Sequence, residues 1–254
     1  MMPQIVKFSV IGLLLVFSAC KTNHLAQVQP QFYRMEATAA RSIAQSDTAI
    51  DSLIAPYKTQ LDAEMNEVIG TAAITFSKGQ PESTLGNWMA DLQAHQTRLY
   101  TKTDIDFAVI NNGGIRIPSL QAGEVTRGKI FELMPFDNML VVLHLDINTL
   151  LQFIQKMAAD GGWASSAELR YDIIDGKANN IMINGRALTE DRIYKVSISD
   201  YVANGGSDCP FFVDKKRDEL GVLVRDAIID FVKAETANGR KLMARLDNRV
   251  TIDR

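Results

Sequence analysis

Three short segments carry side chains able to hold a flat, polar molecule. They are Asn111-Asn112-Gly113-Gly114-Ile115-Arg116, Pro135-Phe136-Asp137-Asn138 and Asp200-Tyr201-Val202-Ala203-Asn204-Gly205-Gly206-Ser207-Asp208. Glycines let a backbone approach a ligand closely, and the guanidinium fork of Arg116 matches a phosphate or a carboxylate. Taken singly, each segment is also ordinary turn chemistry. Taken together they offer two aromatic rings, an arginine, two amides and a carboxylate. That set can sandwich a flat base and hydrogen-bond its sugar and edge.

Other chemistries find less support. No Gly-x-Ser-x-Gly pattern occurs, and Ser207 lacks the strand–elbow–helix setting of a nucleophile, so it reads as a polar turn residue. The three histidines, His24, His95 and His144, are scattered, with no His-x-His or His-Glu-x-x-His cluster. A dinuclear phosphoesterase centre needs several histidines with Asp and Asn to hold two cations. The expectation is that this chain binds no metal or other cofactor and that His144 is a satisfied strand histidine. The net charge of −3, without a Lys/Arg cluster, disfavours a nucleic-acid polymer or a polybasic membrane contact.

The elements that must position these segments can be read from hydrophobic period. Apolar residues at Ile50, Leu53, Ile54, Tyr57, Leu61 and Met65 predict a helix capped by Asp47, disturbed near Pro56 and closed by Gly70. A short strand is expected over 72–76. Ser83 caps a second helix with the stripe Leu85, Trp88, Met89 and Leu92. A β-branched run over 107–110 precedes the first loop. Thr126 caps a brief helix ending before Pro135, a strand covers 140–145, and Asp146 or Asn148 opens a helix over 150–159. Asp175-Gly176 and Asn184-Gly185 predict tight turns among strands near 171–174, 181–183 and 194–198. A long helix is expected from about Glu219 to Glu235, and a terminal strand over 249–252. Without a regular βαβ rhythm, the fold class is α+β, a single domain with mixed β-sheets and packed helices.

The N-terminus reads as a targeting segment. Lys7 supplies a positive region, residues 8–17 are apolar but too short to span a bilayer, and Ser18-Ala19-Cys20 follows. This layout predicts a lipoprotein signal peptide over 1–20, with Cys20 lipidated, and a tether over 21–46 before the domain at 47–254. The alternatives are cleavage nearby without lipidation and a retained hydrophobic tail. Cys209 is then a lone thiol, expected to be buried and inert.

Four segments in order, ESTLGNWMAD (82–91), NNGGIR (111–116), MPFDN (134–138) and DYVANGGSD (200–208), resemble the C-terminal, substrate-binding domain of the 5′-nucleotidase and UDP-sugar hydrolase family. The resemblance runs through nearly all of 47–254. It implies that Phe136 and Tyr201 clamp a nucleobase, with Tyr201 in place of the commoner Phe. Asn111 and Asn138 would face the base, Arg116 would hold ribose or phosphate, and Gly161 would line the pocket. Two positions depart from the family pattern. Ser207 stands where the ribose-binding carboxylate follows the glycines, with Asp208 one place later, and Lys78 stands where an Arg is usual. Trp163 could add an apolar wall or pack in the core.

Family members usually join this domain to an N-terminal metallophosphoesterase domain. The resemblance therefore implies a nucleotide- or nucleoside-binding subunit of a 5′-nucleotidase-type phosphohydrolase, anchored by lipid in a bacterial cell envelope, periplasmic or surface-exposed. The divalent metal would belong to a separately encoded metallophosphoesterase partner. Two rivals stay open: an enzyme acting alone, and a non-enzymatic surface lipoprotein that captures nucleosides or another ring-bearing solute.

Overall fold

The computed structural model describes residues 48–253. Contacts divide the chain into Met1–Leu53 and Ile54–Arg254. Of the first unit only 48–53 is described, as the opening of helix α1 (Thr48–Met65). The expected cap at Asp47 lies outside the described residues. Pro56 sits inside α1 without ending it: one missing N–H and a local clash weaken a helix but need not stop it. Ile54, Tyr57 and Leu61 are exposed.

The centre of the second unit is a five-stranded sheet. Its order is β12 (Arg217–Leu223), β6 (Met139–Leu145), β11 (Tyr194–Ser199), β3 (Phe107–Ile110) and β7 (Ala164–Ser165). β11 runs parallel to β3 and antiparallel to β6, so the sheet is mixed. Side chains alternate faces along a strand. Val141, Leu143 and Leu145 therefore join one core with Phe153, Ile154 and Met157 of α4 (Ile147–Ala159). Leu140 and Ile110 point into another core, with Trp88 and Met89 of α2 (Thr84–Thr101) and Ile228 and Val232 of α6 (Val224–Ala237). Fully burying such side chains stabilises by roughly 1.5–3 kcal/mol each.

Three predicted caps form among the described residues. The Ser83 hydroxyl accepts from Gly86 N at 3.0 Å. Thr126 caps α3 (Arg127–Leu133) by accepting from Lys129 N. Of the two candidates for the next cap, Asp146 takes the place, accepting from Thr149 N at 2.8 Å. That N–H, with help from Lys215, holds the Asp146 carboxyl down at about 2. A carboxyl lowered in the folded state stabilises above its unfolded value, and the contribution is lost as pH falls through the folded value. Asp146→Ala should therefore cost about 1 kcal/mol at neutral pH, with the difference vanishing between roughly pH 4 and pH 2. Urea unfolding of both proteins across that range checks it; a gap that persists at pH 2 would contradict the assignment.

A second sheet of four strands has the order β10 (Arg186–Ala187), β9 (Lys177–Ile183), β8 (Leu169–Ile174) and β13 (Val250–Ile252). Asp175-Gly176 and Asn184-Gly185 make its turns, with positive φ at all four residues, as expected for tight hairpins. Two small ribbons, β1 (Val68–Ala72) with β5 (Gly123–Thr126) and β2 (Phe76–Ser77) with β4 (Ser119–Leu120), complete the α+β architecture.

Three element boundaries differ from expectation. Gly70 does not close a helix but lies within β1, and the strand expected over 72–76 is displaced toward 68–72. A Cβ on Gly70 would lie 2.5 Å from Val232 Cγ1, so glycine is there because α6 crosses it closely. The helix expected from Glu219 begins at Val224, because 217–223 is instead the edge strand β12, paired to β6.

Candidate functional site

Strand direction brings the three loops together. Because β11 is parallel to β3 and antiparallel to β6, the C-terminal ends of β3 and β11 and the N-terminal end of β6 share one edge of the sheet. Val196 pairs with Phe107, and Ser199 with Leu140. Loops 111–116 and 200–208 leave from that edge and loop 135–138 enters it. Between them lies a cavity of about 310 Å³, of small-ligand size.

Phe136 and Tyr201 line this cavity and remain 40% and 49% exposed, which large rings avoid when they serve a core. Asn111, Asn138 and Arg116 line it with them, as do Gly113, Gly114 and Ser207. The Arg116 guanidinium lies over the Phe136 ring, 5.5 Å from its centre. Asn111 is buried, and its Nδ2 donates to Ser207 Oγ at 3.0 Å. Ser207 thus has a role beyond that of a turn residue: it fixes the amide across the pocket floor.

Each loop is tied down. A Cβ on Gly206 would fall 2.5 Å from Tyr201 Cζ, so the absence of a side chain there allows the ring to lie on the turn. Arg225 of α6, itself buried, pairs with Asp137 at 2.6 Å and donates to the Phe136 carbonyl at 3.3 Å. Asp200 Oδ1 accepts from Met139 N at 3.0 Å, linking the second and third loops.

Three of the residues singled out from sequence do not line this cavity. Lys78 donates to the carbonyls of Asn112 at 2.9 Å and Ile115 at 2.7 Å, so it holds the first loop from behind. Burial, and then the Arg116 charge, push its pKa down. Gly161 has φ +84 and lies beside Gln80, in the turn after α4. Asp208 stands nearly fully exposed over a second cavity of about 380 Å³. Gly113 and Ser207 line both cavities; Gln80, Asn112, Lys156 and Asp160 line the second. Asn112 belongs to the first segment singled out from sequence; sequence reading missed the other three, and only their partners in space would have marked them.

The remaining reactive groups are engaged elsewhere. His144 Nε2 meets Asp218 Oδ2 at 2.7 Å, and His95 stacks edge-on against Phe231. Cys209 is buried, and desolvation pushes its thiol up to about 11. Trp163 packs against Phe153 in the core and also forms part of the wall of the second cavity. Among the described residues no group of three or more His, Cys, Asp or Glu is placed to hold a metal. His24, Cys20, the signal segment and the tether lie outside the described residues.

A family model described as "5′-nucleotidase, C-terminal domain" matches residues 68–214, more than half of the chain. The chain belongs to the 5′-nucleotidase C-terminal domain family. A 5′-nucleotidase of Vibrio cholerae is 30% identical over 137 residues, 52% of this chain and 24% of that protein. A cell wall protein of Listeria monocytogenes is 27% identical over 219 residues, 76% of this chain and 28% of that one. The crystal structure of a 5′-nucleotidase precursor from Thermus thermophilus shares the fold with a TM-score of 0.68 at 23% identity, covering 82% of this chain and 43% of that one. The chain thus spans about a quarter of the two relatives and under half of the Thermus protein. Every residue lining the first cavity falls inside the 5′-nucleotidase C-terminal domain match, whereas α6, whose Arg225 steadies the Phe136 loop, lies beyond it.

Proposed function

We propose that this chain is the nucleotide- or nucleoside-binding component of a 5′-nucleotidase-type phosphohydrolase. The observation that carries the reading is the pair of exposed rings, Phe136 and Tyr201, lining one cavity with two asparagine amides and an arginine. The rings would take the faces of a base, Asn111 and Asn138 its edge, and Arg116 a phosphate, which its fork fits. Membership of the family supports this assignment.

Hydrolysis itself would belong to a separately encoded metallophosphoesterase, whose metals act on the phosphate while this chain supplies specificity. The two histidines among the described residues do not fit a dinuclear centre, since His95 and His144 are held by Phe231 and Asp218. The purified chain is therefore expected to bind nucleosides without hydrolysing nucleotides, and hydrolysis should appear when such a partner is added. Phosphate release by the chain alone, abolished by chelator, would favour the self-sufficient enzyme. Binding with no hydrolysis beside any such partner would favour a capture lipoprotein.

The envelope location extends from Ser18-Ala19-Cys20 and from the likeness to a cell wall protein. Labelled fatty acid should enter the wild-type protein and not Cys20→Ala; an unlabelled wild type would remove the anchor.

A further inference from the structure

We propose that Arg225 is a positioning residue for base recognition: from the start of α6 it sets where Phe136 and Asn138 stand in the cleft. This rests on the reading of that cleft as a base-binding site. α6 lies wholly beyond the family match at 68–214, and Arg225 lines neither of the two cavities. Its influence on a ligand must therefore pass through the loop it holds.

Residues 134–138 join α3 to β6 outside any helix or strand, so their carbonyls need donors from elsewhere. Alternate carbonyls find them in Val224 and Arg225, the first two residues of α6. The Asn138 carbonyl accepts from Val224 N at 2.9 Å. The Phe136 carbonyl accepts from Arg225 Nη1 at 3.3 Å, and the Met134 carbonyl from the same nitrogen at 3.4 Å. Arg225 Nη2 donates to the Asp137 carboxylate at 2.6 Å. Phe136 and Asn138, whose carbonyls are held in this way, are also the residues of the loop that line the cleft. The helix gains in return. Val224 N–H is one of the donors left over in its first turn, and Leu223 before it offers no side-chain cap.

The arginine is itself fixed from its other side. Its guanidinium lies over the Phe131 ring of α3, 4.3 Å from the centre, and its side chain is 9% exposed. Stacked on that ring, the planar fork keeps its orientation toward the loop. The arrangement carries a cost, because Nε is buried with no partner among the described residues. A leucine or methionine could cover Phe131 without leaving a donor unpaired. What such a side chain could not supply is the set of bonds to Met134, Phe136 and Asp137. Those bonds fix the backbone from which the Phe136 ring projects, and a binding group is only as well placed as the residues that support it.

The test is calorimetric titration of the full chain with adenosine, guanosine, cytidine and uridine, well below the melting temperature of each variant. Arg225→Met should weaken the tightest of the four about tenfold, less than the largest loss expected from removing a ring, because the ring is displaced and not deleted. In the Phe136→Ala background the same substitution should cost about threefold or less, since most of what it positions is gone. Arg225→Lys keeps a donor for the carbonyls and a charge for Asp137, and should recover part of the loss. An equal loss in both backgrounds would overturn the role, because a general loosening of the fold does not depend on Phe136. A lower melting temperature with affinity unchanged would make Arg225 a packing residue and overturn it too. Should Arg225→Met fail to fold, Asp137→Ala takes its place, its carboxylate being 81% exposed. It should cost about threefold in the wild type and nothing measurable in Phe136→Ala, and equal losses would again overturn the role. No binding of any of the four to the wild type would remove the base clamp, and this role with it.

Discussion

Replacing Phe136 or Tyr201 by alanine is expected to weaken nucleoside binding about five- to 150-fold, the range set by stacking of roughly 1–3 kcal/mol per base. On this reading both rings would contact the same ligand plane, so the losses should be coupled, and the double variant should fall short of the product. Tyr201→Phe keeps the face and should bind nearly as wild type. Arg116→Lys should discriminate against phosphorylated ligands more than against free nucleosides, because an ammonium cannot offer two parallel N–H donors. Each ring is 40–49% exposed, so its removal leaves little core uncovered, and the melting temperature should hold. A fall in melting temperature with affinity intact would mean that the rings serve packing and that no clamp exists.

The largest expected loss of stability lies away from the cleft, at Arg249. This side chain is 3% exposed, and its guanidinium satisfies every N–H it has. Nη1 donates to Asp91 Oδ1 at 2.7 Å and to the Ser165 carbonyl at 2.9 Å. Nη2 donates to Asp91 Oδ2 at 3.1 Å and Asp247 Oδ2 at 3.0 Å, and Nε to Asp247 Oδ1 at 2.9 Å. It links α2, β7 and the segment leading to β13. Arg249→Met leaves the Ser165 carbonyl and Asp247 without this donor. Asp91, 44% exposed, keeps the Ala167 N–H at 2.9 Å and gains water, so the loss should be about 2–3 kcal/mol rather than that of a fully buried pair. For a domain of this size that is a fall in melting temperature of roughly 4–12 °C. A loss below about 1 kcal/mol in urea unfolding would show that water reaches the site and replaces the arginine.

How much of this could be read from the chain depends on whether the cause is local. Ser83, Thr126 and Asp146 cap helices through N–H groups three residues on, so sequence spacing finds them. The hairpin turns are equally local. The strand at 217–223 was hidden because its charged residues and leucines suit a helix; pairing with β6 overrides that propensity. The cleft rings were legible through motif order. Lys78 was misplaced because its partners, two backbone carbonyls in the first loop, have no signature in sequence. The second cavity was invisible for the same reason: Gln80, Lys156 and Asp208 converge only once the sheet has formed.

The pairing of β11 with β3 has a temporal consequence. Val196 and Phe107 become neighbours only after the intervening chain has been ordered, a closure that makes folding slow relative to local helix formation. Phe136 and Tyr201 are separated by that closure in the sequence, so no growing chain that ends before Tyr201 holds both halves of the cleft. During synthesis the nascent protein is therefore blind to the proposed ligand until Tyr201 has been added. Thereafter a bound nucleoside favours only the completed sheet, and protects it in proportion to its concentration over its dissociation constant.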